Sequence, residues 1–218
     1  MPIILQLETS STNTSVVLAK NGEVIASKEQ DSAGSSHEKY LHPFIEDVLQ
    51  EANLNVNDLD AIAIGSGPGS FTGLRIGVAA AKGMCFALDI PLLSVPTMEL
   101  LARQVTSEAD KIVAIVDARR MEVYTTVYSS DYREITPTHA KILEEDAYEE
   151  IASEKLVFVG SGAEKLQKLK EFKSATYLPD AKPSALEMTI PALNRYKKQM
   201  WEDTAYFEPF YLKDFKPH

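Results

Sequence analysis

One order of strands and helices, occurring twice, constrains this chain more than any other feature. In the first half the pattern predicts strands at residues 3–8, 15–19 and 23–30, with Asn21-Gly22 as a hairpin signal. A polar loop with Ser35 or Ser36 as a helix cap follows, then a helix over 37–53 that contains Pro43. A short apolar strand at 61–65, a glycine-rich loop and a helix over 74–88 come next. A strand at 91–95 and a helix from Thr97 to about Val105 complete the order βββαβαβα. The second half runs the same way: strands at 112–116, 122–128 and 134–143, a helix over 144–153, a strand at 156–160, a helix over 164–172, a strand at 176–178 and a helix over 184–199. Two local matches support a duplication. Leu5-Gln6-Leu7-Glu8-Thr9 parallels Ala114-Ile115-Val116-Asp117-Ala118, and Ile64-Gly65-Ser66-Gly67 parallels Val159-Gly160-Ser161-Gly162. Two α/β lobes are therefore expected, 1–106 and 107–218, the second carrying a C-terminal tail.

Charge divides the halves. Residues 1–105 carry 6 basic and 12 acidic side chains, and residues 106–218 carry 16 and 20. A charge-poor first half must hide more of its surface. The net charge of −10 makes the isolated chain a poor binder of nucleic acid or anionic lipid, since both present phosphates. No apolar run approaches the roughly 20 residues of a membrane helix. The start lacks a basic region and a cleavage site. A lone cysteine, Cys85, excludes an internal disulfide or a multi-thiolate metal site. These features together lead to the expectation of a cytoplasmic protein with no membrane partner.

The loop Ser66-Gly67-Pro68-Gly69-Ser70-Phe71-Thr72-Gly73, between a strand and a helix, has the form of an anion site built from backbone N–H groups. It lacks the Gly-Lys-Ser/Thr ending of a Walker loop, and Ser70 stands where a dinucleotide fingerprint needs its third glycine. A tight turn with close helix packing explains the glycines equally well. His37 and His42 lie five apart, about 140° around a helix, which does not suit one metal, so solvated histidines are expected there. Cys85 has no basic sequence neighbour and reads as a small buried hydrophobe. No Gly-x-Ser-x-Gly elbow is present.

The helix over 74–88 carries only Arg75 and Lys82 as charged groups, and Ala79, Gly83 and Ala87 form a row of small residues on another face. A helix lying on a sheet normally shows water a broad polar face. The helix from His37 has apolar residues over about half its circumference, including Tyr40, Phe44 and Val48. An intermolecular helix–helix contact is expected, with Tyr40, Phe44, Val48, Ala79, Lys82, Gly83, Phe86 and Ala87 as its candidate residues.

The segments Ile4–Ser11, Ala61–Gly77 and Asp89–Val95, with Asp117-Ala118-Arg119 and Phe210-Tyr211-Leu212, resemble the bacterial TsaB (YeaZ-type) family over nearly the whole chain. The resemblance implies an actin-like ASKHA fold of two duplicated lobes. It also implies a part in forming threonylcarbamoyladenosine at position 37 of tRNAs that read codons beginning with A. The implied partners are a TsaD-like transferase, which uses a metal and a nucleotide, and a TsaE-like small ATPase. The transferase carries two histidines just after the strand matching 91–95; here Val95-Pro96-Thr97-Met98-Glu99-Leu100-Leu101 contains none. The expected role is that of a non-catalytic partner with no metal, a homodimer when alone, meeting tRNA only through the complex. Catalytic residues are not expected, nor a cofactor beyond weak or shared ATP or ADP binding in the complex. Glu8, Thr9, Ser10, Gly67, Gly69, Ser70 and Asp117 are the candidates for a vestigial phosphate or nucleotide site. Two rival classes are a small ASKHA ATPase or phosphotransferase using those residues, and a glycoprotease-like metallopeptidase.

Overall fold

A computed structural model describes residues 1–32 and 37–213. The expected cap at Ser35 or Ser36 lies outside the described residues. The chain divides into two compact units.

The first unit comprises residues 1–97 and 183–218. Its strands are β1 (Ile3–Glu8), β2 (Asn13–Lys20), β3 (Glu23–Asp31), β4 (Ala61–Gly65) and β5 (Leu92–Val95), in the sheet order β3-β2-β1-β4-β5. The β1–β2 and β2–β3 pairs are antiparallel, while β1–β4 and β4–β5 are parallel. β1 is buried along its whole length because both faces are covered. Leu5 and Leu7 join the core beneath α1 (His37–Glu51) and α2 (Phe71–Leu88). Gln6 is turned the other way, and its Oε1 accepts from Thr189 Oγ1 at 3.1 Å. Thr189 opens α5 (Thr189–Lys197), which packs against β5 and β1.

The second unit comprises residues 98–182. It contains β6 (Lys111–Asp117), β7 (Glu122–Ser129), β8 (Glu134–Ile142), β9 (Leu156–Val159) and β10 (Ala175–Leu178). Their order, β10-β9-β6-β7-β8, repeats that of the first sheet. This duplicated α/β topology is that of the expected actin-like ASKHA fold. α4 (Ala163–Leu169) supplies Ala163 and Leu166 to the core on one side. Met98, Leu101 and Ala102 of α3 (Thr97–Arg103), with Val105, pack on Ile112, Ala114, Val157 and Val159.

The expected boundary at 106/107 is thereby corrected. The central strands of each sheet are buried on both faces, so each sheet needs a second cover. The segment after β5 covers the second sheet, and the segment after residue 182 returns to the first.

Two expected helices also change. Residues 144–153 form turns and a single 3-10 turn at Glu149–Ile151 instead of a full helix. Glu145 with Glu149, and Asp146 with Glu150, would place like charges one turn apart. Tyr148 takes a left-handed φ of 64° and buries its ring, its hydroxyl donating to Thr125 Oγ1 at 2.9 Å. The helix expected over 184–199 begins as a 3-10 turn at Ala185–Met188, with Ser184 Oγ accepting from Leu186 N at 3.1 Å, and ends as α5 at Lys197.

α2 starts three residues earlier than expected because Ser70 caps it: Ser70 Oγ accepts from Gly73 N at 3.3 Å. At 18 residues it is long and apolar enough, by length and composition alone, to cross a membrane, against the expectation that no run came near. It lies beside α1 on β4, β1 and β5, which accounts for its inner face of Leu74, Val78, Ala81 and Cys85.

Candidate functional site

The end of β1 sits directly on a row of glycines. A Cβ at Gly65 would lie 1.9 Å from Glu8 Oε2, and one at Gly69 2.3 Å from Ser10 O. At Gly73 and Gly77 the distances are 2.0 Å to Thr9 O and 2.2 Å to Thr9 Oγ1. Glycine is therefore required so that the β1–β2 turn can lie against the loop and the first turns of α2. Ser70 N donates to Ser10 O at 2.6 Å, and Thr9 Oγ1 donates to Gly73 O at 2.8 Å. The close-packing explanation of the glycines is the one the geometry bears out. Groups that a phosphate would use, such as the N–H of Ser70 and of Gly73, go to the chain's own oxygens.

Gly67 has a different task. It turns the chain with a φ of +101°, its N donates to Thr97 Oγ1 at 3.1 Å, and its O accepts from Thr97 N at 3.0 Å.

Glu8 is fully buried. Its Oε1 accepts from Ser10 N at 2.5 Å, while its Oε2 and Ser10 Oγ have no hydrogen-bond partner among the described residues. Burial pushes the Glu8 carboxyl above its ordinary range, against hydrogen bonds from Ser10 and Thr9.

His37 is also buried, which corrects the expectation of solvated histidines. The first turn of α1 packs on β2, and His37 Nδ1 lies 2.7 Å from Thr14 Oγ1. Burial holds the imidazole below its ordinary pKa. His42 is exposed.

Asp117 ends β6 in the second unit, while the other candidates for the nucleotide site belong to the first. Its Oδ1 accepts from Arg119 N and from Lys165 Nζ, both at 2.6 Å, so it ties down its own hairpin.

The helix faces divide clearly. On α1, His37, Leu41, Ile45, Val48 and Leu49 point inward. Val48 is completely buried, so its assignment to an interface is corrected: it falls on the inner stripe at i+7 from Leu41 and i+3 from Ile45. Tyr40 and Phe44 are half-buried and stack on each other at 5.5 Å.

On α2, Ala79, Gly83, Phe86 and Ala87 are exposed. A Cβ at Gly83 would meet nothing within 4 Å, and Phe86 is 86% exposed. The small-residue row therefore faces away from the chain's own sheet.

Lys82, another of the candidate interface residues, is bonded to the tail. Its Nζ donates to the carbonyls of Ala205 at 3.1 Å and Phe207 at 2.8 Å. Phe210 N then donates to Ser66 O at 2.8 Å, and Tyr211 lies 5.2 Å from the Phe71 ring. This clasp was missed in the sequence, where the aromatic run Phe207–Tyr211 after the last helix was the available signal. Cys85 is buried, its thiol pushed up to about 12 by burial, which bears out its reading as an inert core residue.

The fold and these contacts can now be set beside known proteins. The family model for tRNA N6-adenosine threonylcarbamoyltransferase (TsaD) matches residues 23–216. The tRNA threonylcarbamoyladenosine biosynthesis protein TsaB of Haemophilus influenzae is 31% identical, over 97% of this chain and 93% of that protein. The chain belongs to the TsaB (YeaZ-type) family. Its Escherichia coli relative of the same name is 30% identical, over 97% of this chain and 94% of that one. The solved structure of YeaZ from Pseudomonas aeruginosa superposes with a TM-score of 0.84 at 26% identity, covering 97% of this chain and all of that one. A tRNA N6-adenosine threonylcarbamoyltransferase of Bacillus thuringiensis is 39% identical over 108 residues, 43% of this TsaB-type chain and 32% of the transferase.

Proposed function

We propose that this TsaB-type chain is a non-catalytic partner in threonylcarbamoyladenosine formation at position 37 of tRNAs reading codons that begin with A. It docks on a TsaD-like transferase through the outward faces of α1 and α2, with Tyr40, Phe44, Ala79, Gly83, Phe86 and Ala87 at the contact. The exposed Ala79–Gly83–Ala87 row carries this reading. On a helix already apolar toward its own sheet, a second small, apolar face lets another helix approach closely. The names of the relatives supply the pathway; the helix face supplies the need for a partner. Without the transferase the same face joins two copies of the chain. A TsaE-like ATPase completes the assembly, and tRNA is met only there, because the isolated chain is too acidic to hold it. The setting is cytoplasmic.

The test mixes the chain with the transferase of the same cell and reads sizing and tRNA modification. Gly83→Leu should leave the unfolding midpoint of the isolated monomer near normal and abolish association, because the leucine holds the opposing helix away. A large fall in the midpoint with association intact would place the row in the core and refute the docking face.

The ATPase or phosphotransferase reading has less support, since the N–H groups of Ser70 and Gly73 already donate to Ser10 O and Ser70 Oγ. Nucleotide titration of the chain alone and of the complex separates it from shared binding in the assembly. Elemental analysis after dialysis tests the metallopeptidase reading, which needs about one metal per chain.

A further inference from the structure

The segment after α5 is fastened to the first unit at several points. Glu202 N donates to Leu92 O at 2.9 Å, which adds a bridge to the open edge of β5. The chain then runs back along one flank of α2, antiparallel to the helix. Lys82 Nζ holds the carbonyls of Ala205 and Phe207, Phe210 N donates to Ser66 O, and the Tyr211 ring lies 5.2 Å from that of Phe71. Phe71, Arg75, Lys82 and Phe86 share this flank, at steps of four or seven residues.

The turn after Glu202 is built firmly around one outward ring. Asp203 Oδ1 accepts from the N–H groups of Ala205 at 2.9 Å and Tyr206 at 3.1 Å, and Asp203 O accepts from those of Tyr206 at 3.1 Å and Phe207 at 2.7 Å. Phe207 packs on the core of the first unit, whereas Tyr206 is 83% exposed. The carbonyls that Lys82 holds lie on either side of Tyr206, so its ring leaves the tail at the level of Lys82. Phe86, equally exposed, lies one turn further along the same flank. A single exposed apolar side chain is ordinary. Here two rings on neighbouring firm supports continue the uncharged Ala79–Gly83–Ala87 face. Asp89, the C-cap of α2, with exposed Asp203 and Glu208, gives this end an acidic border. Arg75 stands at the other end of the flank, over the Phe71 ring at 4.9 Å.

We propose that the 203–207 turn is the third element of the docking face, with Tyr206 and Phe86 as its aromatic anchors, and that it takes a TsaD-like transferase presenting Lys or Arg there, in preference to a second copy of the chain. The inference rests on the docking reading above and names the contact that selects the partner. Tyrosine offers a large surface with only two side-chain torsions to fix, and the turn's own hydrogen bonds have already ordered its backbone. Two copies would meet through an isologous contact, which brings both sets of Asp89, Asp203 and Glu208 into one interface. Like charges there oppose the pair, whereas a basic partner is drawn to them. Lys82 is a positioning residue, since it holds the carbonyls on either side of Tyr206.

The experiment measures the affinity of the full chain for the transferase of the same cell, and self-association of the chain alone, each across a range of salt. Tyr206→Ala should weaken the complex about tenfold or more and leave the unfolding midpoint of the isolated chain unchanged. Tyr206→Phe should keep most of the affinity. Lys82→Met should weaken the complex less and open 203–207 to protease in the isolated chain, which loss of a direct contact alone would not do. Added salt should weaken the complex and strengthen self-association, and Asp89→Asn/Glu208→Gln should flatten both trends. Unchanged affinity in Tyr206→Ala, with Gly83→Leu still abolishing association, would overturn the tail contact and leave the docking face standing. Normal association of Gly83→Leu would bring down the docking reading and this inference with it. Loss of self-association in Tyr206→Ala with the complex intact would assign the rings to a second copy and overturn the choice of partner. A complex indifferent to salt would overturn the basic partner. A lowered midpoint with intact affinity would make Tyr206 a packing residue and overturn the tail contact as well.

Discussion

The β1–β2 turn and the β6–β7 turn occupy the same place in the two sheets, yet they have opposite surroundings. At the first, Glu8, Thr9 and Ser10 are buried against glycines, and one carboxylate oxygen has no partner among the described residues. At the second, Asp117, Arg119 and Arg120 are exposed, and the carboxylate is engaged by Lys165. A duplicated fold preserves the path of the backbone; what each copy's turn can do depends on what the next strand–helix loop brings against it. In the first unit that loop brings glycines and fills the space from within. In the second it brings Ser161, whose Oγ accepts from Asp117 N, and α4 behind it supplies Lys165.

The contrast can be broken most forcefully at Gly73. Gly73→Ala would set a methyl 2.0 Å from the Thr9 carbonyl, a backbone atom that cannot swing aside. A loss of about 3 kcal/mol in urea unfolding is expected. A change below about 0.5 kcal/mol would show that the turn is not seated on α2.

Glu8→Gln should have a smaller effect, of the opposite sign. The folded-state carboxyl is raised by burial, so its contribution to stability is full below the ordinary carboxylate range and is lost as pH rises through the folded value. The amide does not ionise. The variant should be more stable at neutral pH, by about 1 kcal/mol, and the difference should vanish toward pH 4. Equal stability at both pH values would show that Glu8 is not desolvated.

The weakest effect is expected from Lys165→Met. The pair it removes is partly exposed, so about 1 kcal/mol or less should be lost. Protease cleavage should increase at 118–121 and stay unchanged at 9–12. Equal protection of the second turn in wild type and variant would mean that Lys165 does not hold it.

Much of the architecture could be read from the residues, since strand periodicity and the repeated order sufficed for ten strands in two sheets. What escaped depended on distant contacts. The return of 183–218 to the first sheet is set by an uncovered face, which no local pattern encodes. Helical periodicity put Val48 and Gly83 on apolar faces alike; only the packed structure shows that one is buried and the other exposed. The glycine block was visible as a tight loop or an anion site, and choosing between them required knowing that the β1 turn lies on top of it. Lys82 was visible as a charge, but its carbonyl partners lie more than 120 residues away. Arg119-Arg120 carries no turn signal, because arginine is not a residue that left-handed backbone favours.

The first unit is discontinuous in the chain, and this bears on its assembly at the ribosome. The five strands of its sheet are all synthesised by residue 95, yet α5, which covers the β1 and β5 side, emerges only after the entire second unit. During translation one apolar face waits uncovered while some 85 residues are added, on the order of seconds at ordinary elongation rates. The second unit, contiguous from 98 to 182, can close upon itself in the meantime. Nascent chains released at about residue 182 should therefore hold a folded second unit and an aggregation-prone first one, so that a late stop codon damages the beginning of the protein before its middle.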